Sequence, residues 1–462
     1  MANNEQKIVR NNHKMSAGTD MTVGDPTRLL LWFSFPVFIG NLFQQFYNLV
    51  DTWVVGRFVG DSALAATGTC GSLNFLFFAL SSGLAVGIGV ITSQFYGAGD
   101  DRGVRKSISN AGYVLCFAAV LASFIGIFFA RPLLNMIDTP PEVLDDAVMY
   151  LRTTSCGILF IALYNGVANI LRALGDARTP LYFLIISSFF NIGFDLLFVL
   201  VFHLEVFGVA LATVIAQMFS AVVSLLFAVI RMPYFRLKRE EMKPDFLIIR
   251  RSFKLGIPIA LQTSMIAISL LVLQKVVNGF GPTVMACYTL SSKLDVIVSM
   301  FYSAMQQSLT TYSGQNLGAG KLDRIRQGFN RGIIMVTLYN LVMIPIVFAA
   351  SGPIAAFFTS SGDVISIGRY AFRITAIMYF ALGIIYVPRG ILNGCGDARF
   401  SFLNGVAEVA CRIVYANLLT RTSLGKWGIW WAAGLTWTTV AIVCCLRYFG
   451  GKWKTLKKVE SV

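Results

Sequence analysis

The residues that could do chemistry begin in one apolar run, PVFIGNLFQQFYNLVD at 36–51. Asn41, Gln44, Asn48 and Asp51 are spaced three, four and three apart, so a helix gathers them into one stripe on one face. The stripe ends in a carboxylate. Placing such a group at the centre of a bilayer costs about 2.5–3.5 kcal/mol on insertion scales. Chains keep an ionisable residue there for pairing or for function, and function is the default expectation.

A second acid sits at Asp195, with Asn191 one turn before it on the same face and Thr213 in the next apolar run. Counted from the outer ends of their runs, Asp51 and Asp195 each lie about six residues, or about 9 Å, deep. Two carboxylates, a carboxamide and a hydroxyl can therefore meet at one level. Acids without a base in apolar surroundings disfavour their charged form, so one of them would hold a proton. The same oxygens also suit a hard cation such as Na⁺. The competing reading is structural, with Asp51 and Asp195 tying helices together and Arg152 as the partner that would neutralise one of them.

Other groups read as bland. Glu408 and Arg412 are four apart and form an internal ion pair on one helix. Lys293 and Asp295 are two apart, point different ways and serve lining or packing. Asp176 with Arg178 and Asp397 with Arg399 belong to turns, where capping and gating salt bridges are both open. The eight cysteines include no CxxC pair, and the two histidines, His13 and His203, lie outside the apolar runs. Neither a disulfide framework nor a zinc centre is expected. GAGD at 97–100 and GAGK at 318–321 lack the GxxxxGK[ST] spacing of a phosphate loop, so they read as helix terminators.

What must position these residues is a membrane bundle. Of 462 residues 56% are hydrophobic and 13% charged, with a mean hydropathy of +0.68. The apolar runs are continuous rather than alternating, which excludes an outer-membrane barrel. Twelve spans are expected near 30–56, 64–95, 107–130, 144–171, 180–201, 207–230, 252–278, 284–313, 327–350, 364–392, 400–418 and 428–449. With both ends in the cytoplasm, the outside loops hold only Arg57, Arg131, Arg421 and Lys426. The stretch 231–254 after span 6 alone holds eight basic residues. The net charge of +15 is thus a topology signal, and nucleic acid is not an expected partner.

The chain also repeats itself. QFYGAGD at 94–100 matches QNLGAGK at 315–321, and LRALGDAR at 171–178 matches LNGCGDAR at 392–399, both at an offset of 221; Pro36 answers Pro258 at 222. Six spans per repeat is an even number, so the fold class is all-α, two six-helix bundles related by a pseudo-two-fold axis along the membrane normal. The expected domains are a cytoplasmic tail at 1–28, an N-lobe at 29–230, a basic linker at 231–251, a C-lobe at 252–449 and a basic tail at 450–462. At the repeat offset Asp51 falls on Val272 or Leu273 and Asp195 on Ala416, so the paired acids belong to the first bundle alone.

With these landmarks, namely YNLVDTWVVG at 47–56, GAGD, LRALGDAR, NIGFD at 191–195 and GQNLGAG at 314–320, the chain resembles the multidrug and toxic compound extrusion (MATE) family over nearly its whole length. The acids of the first lobe resemble the DinF-like branch. That resemblance implies a proton or Na⁺ site at Asp51, Asn191, Asp195 and Thr213, and a hinge at Pro36. It implies less directly a substrate cavity near Gln44, Tyr47, Asn48 and Tyr150. The NorM-like pattern, a Glu in span 7 and an Asp in span 10, is not matched, since Gln274 and Lys275 stand in span 7. The expected function is export of small amphipathic or cationic compounds from the inner membrane by H⁺- or Na⁺-coupled antiport, by a protein that is not an enzyme. No cofactor and no ATPase subunit are expected; a monomer is compatible with the sequence, which is silent on oligomeric state. The alternative from the same architecture is a flippase for lipid-linked oligosaccharides, which favours a cavity rich in Arg and Lys.

Overall fold

A computed structural model describes residues 18–455; the remainder of the two tails expected at 1–28 and 450–462 lies outside the described residues. Fourteen α-helices are found there, with no strand. In chain order they are α1 (Pro26–Val54), α2 (Asp61–Ala98), α3 (Asp101–Phe128), α4 (Ala130–Met136), α5 (Pro141–Cys156), α6 (Ile158–Ala173), α7 (Arg178–Leu196) and α8 (Glu205–Arg231). The second series is α9 (Phe246–Asn278), α10 (Pro282–Gly318), α11 (Leu322–Phe358), α12 (Gly362–Gly394), α13 (Ala398–Leu419) and α14 (Gly428–Phe449). Eleven are long and apolar enough to cross a bilayer, and α5 with α6, bent by 43°, makes a twelfth. The all-α, two-bundle membrane fold expected from the sequence is the one found.

Two compact units divide the chain. Among the described residues the first holds 18–23 and Ile39–Ala260, and the second holds Gly24–Phe38 and 261–455. The divisions fall inside α1 and α9, each two residues past an internal proline, Pro36 or Pro258. Proline lacks the N–H for its own turn and crowds the carbonyl four residues back, so a helix can bend there.

The repeated turns are built by glycine. Gly99 and Gly320 both have φ +73°, and Gly175 and Gly396 have φ +91° and +86°. Without a Cβ they stop the preceding helices in a left-handed turn. The next residue then differs between repeats. Asp100 accepts from Gly103 N at 2.8 Å and caps α3, while Lys321 offers α11 no such cap. Asp176 accepts from the backbone N–H groups of Arg178 and Thr179 at 3.0 Å each, which makes it a cap. Asp397 instead takes a two-point ion pair from Arg447, at 2.7 and 3.0 Å.

In the first unit α2 packs closely on the start of α9. A Cβ on Gly83 would lie 2.5 Å from Ala260 N, and one on Gly87 would lie 2.7 Å from Gly256 N. Small residues allow this approach in a membrane, where backbone contact and dispersion take over from the hydrophobic effect.

Candidate cation-coupling site

Asp51 lies in the last turn of α1, which passes straight into a π-helical turn at Val55–Val59. Asp195 lies in the last turn of α7, and it too is followed by a π-helical turn, Leu197–Val201. The two π turns pack on each other and on α8. Such wide turns are uncommon and recur at functional sites, because they displace the side chains of the adjoining turn. Asp51 and Asp195 therefore enter one region from two helices whose C-terminal ends are distorted in the same way.

The two carboxyl groups are immediate neighbours. The phenols of Tyr47, one turn before Asp51, and of Tyr150 on α5 stand within electrostatic reach of both. Asn191 follows from its place one turn before Asp195 on α7. Thr213 is placed by helix register: Ser187 Oγ donates to Ala216 O at 3.2 Å, which brings Thr213 on α8 level with the neighbour of Asn191. The Thr213 hydroxyl donates to Val209 O at 3.0 Å, so its lone pairs remain free to accept or to ligate.

What sets the group apart is satisfaction. Asp195 is 0% exposed and Asn191 3% exposed. Among the described residues these are the two whose side chains have both polar atoms buried without a hydrogen-bond partner, and Asp51 Oδ1 is orphaned with them. A buried polar group left unpaired costs about 1–3 kcal/mol, more if charged. None of the ion pairs found among the described residues reaches Asp51 or Asp195. Arg152, the partner that would have made these acids structural, is exposed and donates through Nε to Ile127 O at 3.1 Å.

The residues expected around a substrate cavity divide. Tyr47 and Tyr150 join the carboxyl pair. Gln44 and Asn48 are exposed on α1, and Asn48 Nδ2 donates to Gln45 Oε1 at 3.2 Å. Among the described residues no three His, Cys, Asp or Glu side chains are placed to hold a metal.

The second unit disposes of its charges differently. Glu408 receives Arg412 Nη2 at 3.5 Å, the ion pair expected from their spacing. It also receives Arg389 Nη2 from α12 at 3.5 Å, and Arg389 donates to Asn404 Oδ1 at 2.6 Å. Asp295 accepts from the Tyr379 hydroxyl at 2.8 Å, which ties α10 to α12. Spacing along one helix revealed Glu408–Arg412. It missed Arg389 and Tyr379 because both approach from another helix.

A family model, MatE, matches the chain twice, over residues 36–197 and 258–418, beginning on Pro36 and on Pro258. The chain belongs to the MatE family. Curated relatives include the "Probable multidrug resistance protein YpnP" of Bacillus subtilis (strain 168), 27% identical and covering 95% of this chain and 98% of the relative. The "Multidrug export protein MepA" of Staphylococcus saprophyticus is 22% identical, covering 90% and 92%. Among solved structures, one described as an "Outward-facing conformation of a multidrug resistance MATE family transporter of the MOP superfamily" superposes with a TM-score of 0.89 at 21% identity. It covers 96% of this chain and 100% of that one, and it establishes the MATE fold. Both family repeats are thus present, and the unpaired acids lie in the first.

Proposed function

We propose that this MatE protein is an inner-membrane antiporter that exports small amphipathic or cationic compounds against inward movement of H⁺ or Na⁺. The observation that carries the reading is the cluster of Asp51, Asn191 and Asp195, whose buried polar atoms meet no base among the described residues. The names of the curated relatives support the substrate class. The family's transport role, rather than catalysis, fits a site with acids and amides but no nucleophile–base pair.

Two acids side by side resist being charged together, so the pair takes up a proton readily. Asp51, Asp195, Asn191 and Thr213 also offer the hard oxygens that Na⁺ prefers. Either ion fills the missing partner, and its binding changes how α1 and α7 sit against α8. With both termini on the cytoplasmic side, the site lies toward the outside, where the ion enters. The substrate loads from the inside, the protein turns outward, and ion entry favours the state that releases the substrate. Ion and substrate need share no contact, since coupling equals the difference in ion affinity between the two states. Pro36 supplies the point at which α1 gives way.

Everted membrane vesicles holding the protein test this with a fluorescent cationic dye. Asp51→Asn and Asp195→Asn are each expected to remove uptake driven by a pH or Na⁺ gradient while the variant inserts normally. Gradient-driven uptake at the unmodified rate in either variant would reject the site.

A further inference from the structure

The segment Met232–Asp245, which joins α8 to α9, is folded against the end of α3 in the first unit and is more than a tether. Tyr234 and Phe235 are buried. The Tyr234 hydroxyl donates to Asp101 Oδ1 at 2.9 Å, and burial together with that bond pushes the phenol well above its ordinary value. Two ion pairs hold the strap down, Arg105–Glu241 at 3.3 Å and Lys106–Asp245 at 3.4 Å. Asn110 Oδ1 accepts from Asp245 N at 2.8 Å, and Tyr113 donates to Met242 O at 2.6 Å.

This docking sorts the charges. Glu241 and Asp245 are spent on Arg105 and Lys106. On the outward side stand Arg236, Lys238, Arg239, Lys243 and Arg250, all exposed, opposed by one exposed acid, Glu240. Among them the apolar side chains of Met242, Phe246 and Leu247 are 50%, 80% and 66% exposed. The strap starts and ends on membrane-crossing helices, so this face lies at the boundary of the bilayer. Exposed rings and aliphatic chains between basic side chains match the layer where acyl chains meet headgroups. An excess of Lys and Arg at that depth is complementary to anionic phospholipid.

We infer that the outward face of the strap and the adjoining start of α9, residues 232–250, binds the headgroups of anionic phospholipids and holds the α3 end of the first unit to the membrane surface. The inference does not depend on the coupling site.

The test uses the full-length protein in detergent, titrated with phosphatidylglycerol or phosphatidylcholine, with bound lipid counted by native mass spectrometry. Wild type is expected to prefer phosphatidylglycerol, and the preference is expected to fall as salt is raised. Arg236→Gln, Arg239→Gln, Lys243→Gln and Arg250→Gln, added in turn, are expected to weaken phosphatidylglycerol binding by about fivefold per charge removed. Phe246→Ser with Leu247→Ser is expected to weaken both lipids. Arg421→Gln with Lys426→Gln, at the other ends of their helices, is expected to change neither. Retention of the full preference in the fourfold charge variant overturns the inference. So does equal competition by inorganic phosphate at matched ionic strength, which would make the face a site for soluble anions.

Discussion

Asp195 and Glu408 are both buried carboxyls in membrane-crossing helices, and their surroundings give them opposite duties. Glu408 sits between Arg389 and Arg412, and the three groups form one network with Asn404. Removing its charge strands two guanidinium groups in an apolar interior, a loss of about 3–5 kcal/mol for breaking a buried pair. Glu408→Gln is therefore expected to lower the melting temperature of the purified protein clearly. Among the described residues no base stands beside Asp195, whose neighbour is the Asp51 carboxyl. Asp195→Asn is expected to leave melting unchanged or to raise it, while coupling is lost. A matching drop in stability for both variants would remove the distinction. Asn191→Ala, which removes a neutral ligand but no charge, is expected to weaken Na⁺ dependence more than proton dependence, read from efflux in Na⁺-free and Na⁺-containing buffer. Helical spacing and the rarity of intramembrane acids drew attention to Asp51, Asn191 and Asp195, and the structure brings the Asp51 and Asp195 carboxyls together. Tyr379 and Arg389 could not be read this way, since a partner on another helix leaves no local pattern.

At the level of elements, the prolines behave as period markers whose meaning appears only in three dimensions. Pro36 and Pro258 stand 222 residues apart in the sequence, yet nothing in the hydropathy of α1 or α9 shows that the helix changes unit two residues later. Apolar character runs straight across both. The π turns after Asp51 and Asp195 are equally hidden, because no residue type marks a wide turn. The glycines are partly legible. Gly83 and Gly87 are small enough for close helix approach by residue type alone, while their partner, the Gly256–Ala260 stretch of α9, emerges only when the helices are packed. Gly87→Val pushes a side chain into backbone 2.7 Å away and is expected to reduce the yield of folded protein, measured as monodisperse material after extraction. Pro36→Ala restores a helical N–H and closes the bend point. It is expected to slow coupled efflux several-fold while Asp51 and Asp195 still bind the ion, a split read by comparing initial transport rate with ion affinity.

For the whole molecule, the repeat explains why twelve spans and two bundles can be counted from hydropathy and recurring motifs alone, since both halves follow one plan of helices and glycine turns. It also shows where the halves diverge. Among the described residues the first keeps two acids that no base pairs, and the second has Ala416 and a Val272–Leu273 pair at those places and spends Glu408 on arginines. In the proposed cycle, ion exchange belongs to the first half only. The decisive measurement is substrate flux in proteoliposomes under an imposed pH gradient and, separately, an imposed Na⁺ gradient, for wild type and Asp195→Asn. At least one gradient is expected to drive concentrative transport by wild type, and the variant is expected only to equilibrate substrate under either. Concentrative transport by Asp195→Asn matching wild type would contradict that cycle.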